Sequence, residues 1–152
     1  MFDREHVGYL LASNLRDLEF DDFQDLPIWR TLVPAVADEI YHYTIPTAMV
    51  AVETVMVEAY WAELVRGLTE RGLAVLHVVL DCDEVELRRR IETDEMERQA
   101  LDWRLDHIAK FGAARPWLTQ SADLVLDTTS VTPESTAATI IEAAAKARSA
   151  AI

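Results

Sequence analysis

Residues 73–80 read LAVLHVVL and are apolar at every position except His77. A strand with no polar face has to be covered on both sides, which places this run inside a parallel sheet flanked by helices. Around it, segments with a helical period alternate with short apolar runs. Residues 4–15 predict a helix, and 16–25 an acidic loop. Pro27 suits a first helical turn and opens a helix toward Tyr43, with Pro34 a candidate kink. Residues 47–54 (TAMVAVET) predict a second buried strand. Val57, Trp61, Leu64, Val65 and Leu68 recur at helical spacing, and Gly72 suits the cap that ends that helix. Residues 83–93 and 95–111 predict two helices, 124–126 a short strand, and Thr132 with Pro133 and Glu134 the start of a last helix.

Strands separated by helices imply βαβ units, whose ligands bind beyond the carboxyl ends of the strands. The positions to inspect are therefore Glu53 and Thr54, Asp81 to Asp83, and Asp127 to Thr129. At 152 residues the chain suits one domain with a hydrophobic core. Its net charge of −13 disfavours free nucleic acid and anionic membrane as partners. No apolar run reaches the roughly 20 residues that span a bilayer, Met1 to Glu5 lacks the features of a signal peptide, and the single Cys82 excludes an internal disulfide. A cytoplasmic location is the expectation.

Three segments carry a family resemblance: FDREHVG at 2–8, DFQDLPIWR at 22–30, and a carboxyl-terminal set. That set comprises LDCDE at 80–84, LRRRI at 87–91, WRLDH at 103–107, LDTT at 126–129 and Thr132-Pro133. Together they resemble the P-loop small-molecule kinases of the adenylate and nucleoside kinase class, and most closely the tunicamycin-resistance type of ATP-binding protein. The resemblance implies an α/β fold with a parallel sheet flanked by helices, a lid at about 88–117, and transfer of the γ-phosphoryl group of ATP to a small nucleoside- or sugar-like acceptor. ATP and magnesium are the implied cofactors.

One departure is severe. The four glycines (Gly8, Gly67, Gly72, Gly112) are scattered, and no G-x-x-x-x-G-K-[ST] loop occurs. That loop wraps phosphates with backbone N–H groups, a lysine and a magnesium-binding hydroxyl. The family's first strand, which leads into the loop and lies centrally in the sheet, is absent with it. The expectation is a truncated kinase-like domain over residues 1–152, with the missing strand encoded upstream of Met1. A lone monomer with that gap is expected to be unstable. Each unpaired buried backbone group costs roughly 1–3 kcal/mol against a net stability of ~5–15 kcal/mol. A degenerate kinase fold serving as an acidic binding or assembly module, with a homodimer among its assemblies, is the alternative.

Phosphoryl transfer needs positive charge around the phosphates. By resemblance, Arg90 lies over the adenine or near the phosphates and Arg104 clamps phosphate after lid closure, with Arg89 and Arg98 as weaker candidates. Against this stand the helical pairs Glu84 with Arg88, Glu86 with Arg90 and Asp94 with Arg98, which predict a solvated ladder of salt bridges. The loop from Asp127 through Thr128 and Thr129 to Val131 is expected to cup the adenine, the competing reading being a turn and helix cap. Asp3 is the candidate to orient or deprotonate an acceptor hydroxyl. Glu53 ends an apolar run and could hold magnesium through water, the competing and favoured reading being a satisfied strand-end carboxylate. The acidic run at 17–25 lacks the glycine and terminal glutamate of a calcium loop and the histidines have no metal spacing, so no metal ligands are assigned. Cys82 is expected to be buried.

Overall fold

The acidic loop ends where Asp22 Oδ1 accepts a hydrogen bond from Gln24 N, closing a short 3-10 turn at Phe23–Asp25. Pro27 then starts helix α2 (Pro27–Thr44), after α1 (Glu5–Asn14) and before α3 (Glu58–Thr69). The computed structural model describes residues 1–17, 19–44 and 48–150. It divides the chain into two compact units, Met1–Val75 and Leu76–Ile152.

In the first unit α2 buries Trp29, Val33 and Ala37 along one stripe, with Arg30 and Pro34 beside it. The core adds Phe2, Val7, Leu11, Leu26, Val55 and Leu64. Gly67 of α3 faces Pro34, and a Cβ at Gly67 would stand 2.8 Å from the proline Cγ. The proline therefore lies within the helix as packing surface. Arg30 ties the same two helices together: its Nε donates to Glu63 Oε2 at 2.7 Å, and its guanidinium carbon lies 4.0 Å from the centre of the Tyr60 ring. After α3, Gly72 takes a left-handed φ of +79°, and Leu73 N bonds back to Leu68 O at 3.1 Å, the closure anticipated from the glycine.

The buried strand expected at 47–54 does not form among the described residues, and Thr47 lies outside them. The segment pairs only through a parallel bridge of Ala51 with Phe2, with Phe2 N donating to Val50 O at 2.8 Å. Val50 is 56 % exposed and Val52 69 %. The apolar composition has a neighbour at one point of one edge, so Val50 and Val52 are left uncovered while Met49 packs partly against the core. The chain re-enters the core at Val55.

The second unit holds β1 (Val78–Asp81) and β2 (Leu124–Asp127), paired in parallel with Val78 opposite Leu124 and Asp81 opposite Asp127. The ladder is shorter than the apolar run at 73–80 because its partner has only these four residues; Asp123 N and Leu124 N both close on His77 O at its entry. Coverage is also one-sided, with Val79 and Asp81 buried and Leu80 51 % exposed. Between the strands run α4 (Glu84–Thr93), a 3-10 turn (Arg98–Ala100) and α5 (Leu101–Ser121); α6 (Pro133–Ala150) follows β2. Asp83 caps α4 by accepting from Val85 N and Glu86 N, and Thr132 Oγ1 accepts from Ser135 N at the start of α6. The architecture is mixed α/β, mostly helical, with one small parallel sheet among the described residues. No described helix is long and apolar enough to cross a membrane.

Candidate functional site

Parallel pairing brings the carboxyl ends of β1 and β2 side by side, so residues 81–83 and 127–129 meet although they are far apart in sequence. Thr128 N and Thr128 Oγ1 both donate to Asp81 O, at 2.8 and 2.9 Å. Asp83 N donates to Thr129 Oγ1 at 2.9 Å. Asp127 accepts from Thr129 N at 2.9 Å, and bonding from Thr129 holds its carboxyl below the usual range. This loop is a turn closed on itself and on the neighbouring strand end.

Arg90 joins it from the last turn of α4. Its Nη2 donates to Thr128 O at 2.6 Å and Thr129 O at 3.2 Å, and its Nε to Glu86 Oε1 at 2.8 Å. Glu86 also takes a fork from Arg89. The hydrogen bonds from Arg89 and then Arg90 bring the Glu86 carboxyl down to about 2. Four of the residues singled out from sequence, Arg90, Asp127, Thr128 and Thr129, thus form one constellation. Val131 lies exposed further along the same loop.

Arg104 is placed elsewhere in the unit. It pairs with Asp94 at 2.8 Å, and this bond lowers the Asp94 carboxyl. The anticipated Asp94–Arg98 helical pair is not formed because α4 ends at Thr93, leaving Asp94 as its cap and Arg98 in the 3-10 turn. The other two expected pairs are present, Glu86–Arg90 closely and Glu84–Arg88 at 4.0 Å. Trp103, beside Arg104, is exposed and stacks on His107 with ring centres 3.7 Å apart.

Asp3 lies in the first unit. Its Oδ1 accepts from Glu5 N at 2.9 Å, and its Oδ2 is 3.7 Å from His6 Nε2, so the carboxylate serves the entry to α1 while remaining half-exposed.

Two of the unforeseen arginine–carboxylate contacts lie at the ends of apolar runs. Arg115 of α5 directs Nε and Nη2 at Asp81 Oδ2, at 3.0 and 2.5 Å, while Asp81 Oδ1 accepts from Cys82 N. Asp81 and its neighbours Asp127 and Asp83 raise the Arg115 pKa above its ordinary value, the bond to Asp81 contributing most. Cys82 is half-buried rather than buried. In the first unit, buried Arg4 pairs with Glu53 at 2.7 Å and also donates to Val52 O. Burial lowers the Arg4 pKa and raises that of Glu53, each opposed by attraction to the other. The only hint in the sequence is that Asp81 and Glu53 end apolar runs.

The carboxyl ends of β1 and β2 thus offer hydroxyls, two arginines and three aspartates. Among the described residues no group of three or more histidine, cysteine, aspartate or glutamate side chains could hold a metal ion. Glu53, the acid for which a magnesium role was an expectation, is engaged by Arg4. In the first unit, Glu19, Phe20, Asp21, Asp25, Leu26 and Pro27 line an open cleft of about 580 Å³. Searches against protein-family models, curated proteins and solved structures return no match to this chain.

Proposed function

We propose that this chain is part of a P-loop kinase-like, ATP-binding fold of the tunicamycin-resistance type. In that reading it belongs to an antibiotic-resistance class of phosphotransferase acting on a small nucleoside- or sugar-like acceptor. The observation that carries the proposal is the tie of Arg90 to Thr128 and Thr129 at the carboxyl ends of two parallel strands. Two segments of the same resemblance, 87–91 and 126–129, meet where α/β sheets bind ligands.

In this reading the loop at 127–131 offers its backbone to the adenine, and Arg90 fixes the loop while presenting its planar face. Arg104, whose side chain is 29 % exposed, is the phosphate clamp. ATP supplies the transferable phosphoryl group when bound. The resemblance gives its adenine end to this loop, whose Thr128 and Thr129 N–H groups are bonded within the protein; the phosphate cradle and a magnesium cage are not supplied by these residues. Val50 and Val52 in the first unit and Leu80 in the second are apolar positions left uncovered, as expected where a packing neighbour is lacking.

The same uncovered positions favour a second reading, a non-catalytic fold that completes its sheet by assembling with another chain. ATP affinity and phosphotransfer, measured on these 152 residues and on a form preceded by a glycine-rich phosphate-loop strand, separate the two. The kinase reading requires weak binding by the first form and strong binding with turnover by the second. Strong, equal activity in both refutes the need for the loop. A stable oligomer that binds no nucleotide in either form establishes the second reading.

A further inference from the structure

The arginines of the second unit are neutralised in unequal ways. Arg115 places two N–H groups on one oxygen of Asp81, a carboxylate whose side chain is only 11 % exposed and whose other oxygen is taken by Cys82 N. Arg90 is shared among Glu86, Thr128 and Thr129. Arg104 has one contact, Nη1 to Asp94 Oδ2 at 2.8 Å, with both side chains nearly one-third exposed. Asp94 is fixed from behind, since its Oδ1 accepts from Met96 N at 2.9 Å. The bond spans ten residues and joins the cap of α4 to the first turn of α5.

From this comparison we infer that Asp94 occupies the anion position of Arg104, as an internal stand-in that an incoming phosphoryl group displaces. The inference rests on the reading of Arg104 as a phosphate clamp and adds the group that holds it in reserve. A carboxylate and a phosphate offer a guanidinium the same pair of oxygens, and phosphate carries more charge. A single-bonded ion pair that water reaches from both sides is weak enough to exchange, whereas Arg115 sets two N–H groups on an Asp81 carboxylate that is itself nearly buried, although the arginine is about half exposed. Exchange also releases the side-chain bond that ties Asp94 to α5. The stand-in sets a threshold: a dianionic phosphoryl group displaces Asp94, and a monoanionic carboxylate ligand competes poorly.

Pyrophosphate titration by calorimetry at low salt tests this on the full chain, with circular dichroism and melting curves to show that each variant is folded. Asp94→Asn, which keeps the shape and removes the competing charge, is expected to tighten binding about three- to fivefold, the range an exposed pair allows. Asp102→Asn, which removes an equal charge two residues from Arg104, is expected to change affinity less than twofold. Arg104→Ala is expected to lose about tenfold. Equal affinity in wild type and Asp94→Asn, with loss in Arg104→Ala, overturns the stand-in and leaves the clamp. Equal tightening in both asparagine variants also overturns it, because bulk charge then explains the gain. Unchanged binding in Arg104→Ala, or no pyrophosphate binding by any form, overturns the clamp and the stand-in together.

Discussion

The Arg90 guanidinium lies 2.6 Å from the carbonyl oxygen of Thr128, so the last turn of α4 is bolted to the loop that follows β2. Glu86 holds the same side chain from one turn back, fixing its direction along the helix.

Truncating Arg90 should therefore loosen residues 127–131 more than it loosens α4. Arg90→Ala removes charge-assisted bonds to two carbonyls and is expected to cost about 1–2 kcal/mol. Amide hydrogen exchange should rise at 128–131 while the amides of α5 stay protected. Arg90→Lys should recover only part of the loss, because an ammonium lacks the planar fork that reaches both oxygens. Uniform exchange across the unit in Arg90→Ala would show that the contact does not fasten this loop in particular.

In the first unit Arg4 and Glu53 form a pair whose partners are most costly to separate. Arg4 is 6 % exposed, and the Glu53 side chain 20 % exposed. Glu53→Gln leaves a buried guanidinium short of its counter-charge and is expected to destabilise by about 3 kcal/mol. The double replacement Arg4→Met with Glu53→Leu removes both charges and should cost less than Glu53→Gln alone. Denaturant melts of the single and double variants make the comparison. A double variant weaker than either single would mean the pair contributes more than its own desolvation takes away.

The difference in how well sequence served these two regions has a physical basis. Helix starts and stops are written locally: Asp83 and Thr132 cap the helices after them, Pro27 opens α2, and Gly72 turns the chain after α3. Strand extent depends on a partner, so residues 73–80 look like an eight-residue strand and pair over only four. The segment at 48–54 has strand composition but only the one bridge to Phe2. Arg90 and the 127–129 loop were legible because a resemblance fixed their order. Arg115 and Asp81 lie 34 residues apart, and no helical or strand period links them. The partner of Arg104 could not be read from the sequence, because where α4 stops decides whether Asp94 meets Arg98 or Arg104.

Acid should loosen the loop at 127–131 through Glu86. Hydrogen bonds from Arg89 and Arg90 bring its carboxyl from an ordinary 4.5 to about 2. The folded value lies below the unfolded one, so the contribution is full above about pH 4.5 and is lost as the pH falls toward 2. Over that window both arginines lose their shared carboxylate, and the loop at 127–131 should gain mobility. Glu86→Gln should show the looser loop at neutral pH and a shallower acid dependence, read by proton NMR of the Thr128 and Thr129 amides. An unaltered acid profile in Glu86→Gln would assign the dependence to other carboxylates.

Gly67 and Pro34 set how near α2 and α3 can approach. A methyl group at Gly67 would stand 2.8 Å from Pro34 Cγ and 3.1 Å from its Cβ. The proline is fully buried, and its ring has no rotamer by which to swing aside. In an open helix Gly→Ala gains about 0.5–1 kcal/mol from backbone entropy. Here overpacking of about 1–3 kcal/mol opposes that gain, so Gly67→Ala is expected to lower stability by about 1–2 kcal/mol. Gly112 supplies the control: it sits in α5 with nothing within 4 Å of its would-be Cβ, so Gly112→Ala should stabilise. The two substitutions have the same chemistry and should shift the melting temperature in opposite directions. A shared sign would mean that α2 and α3 can separate at little cost, and that the glycine contact does not determine their spacing.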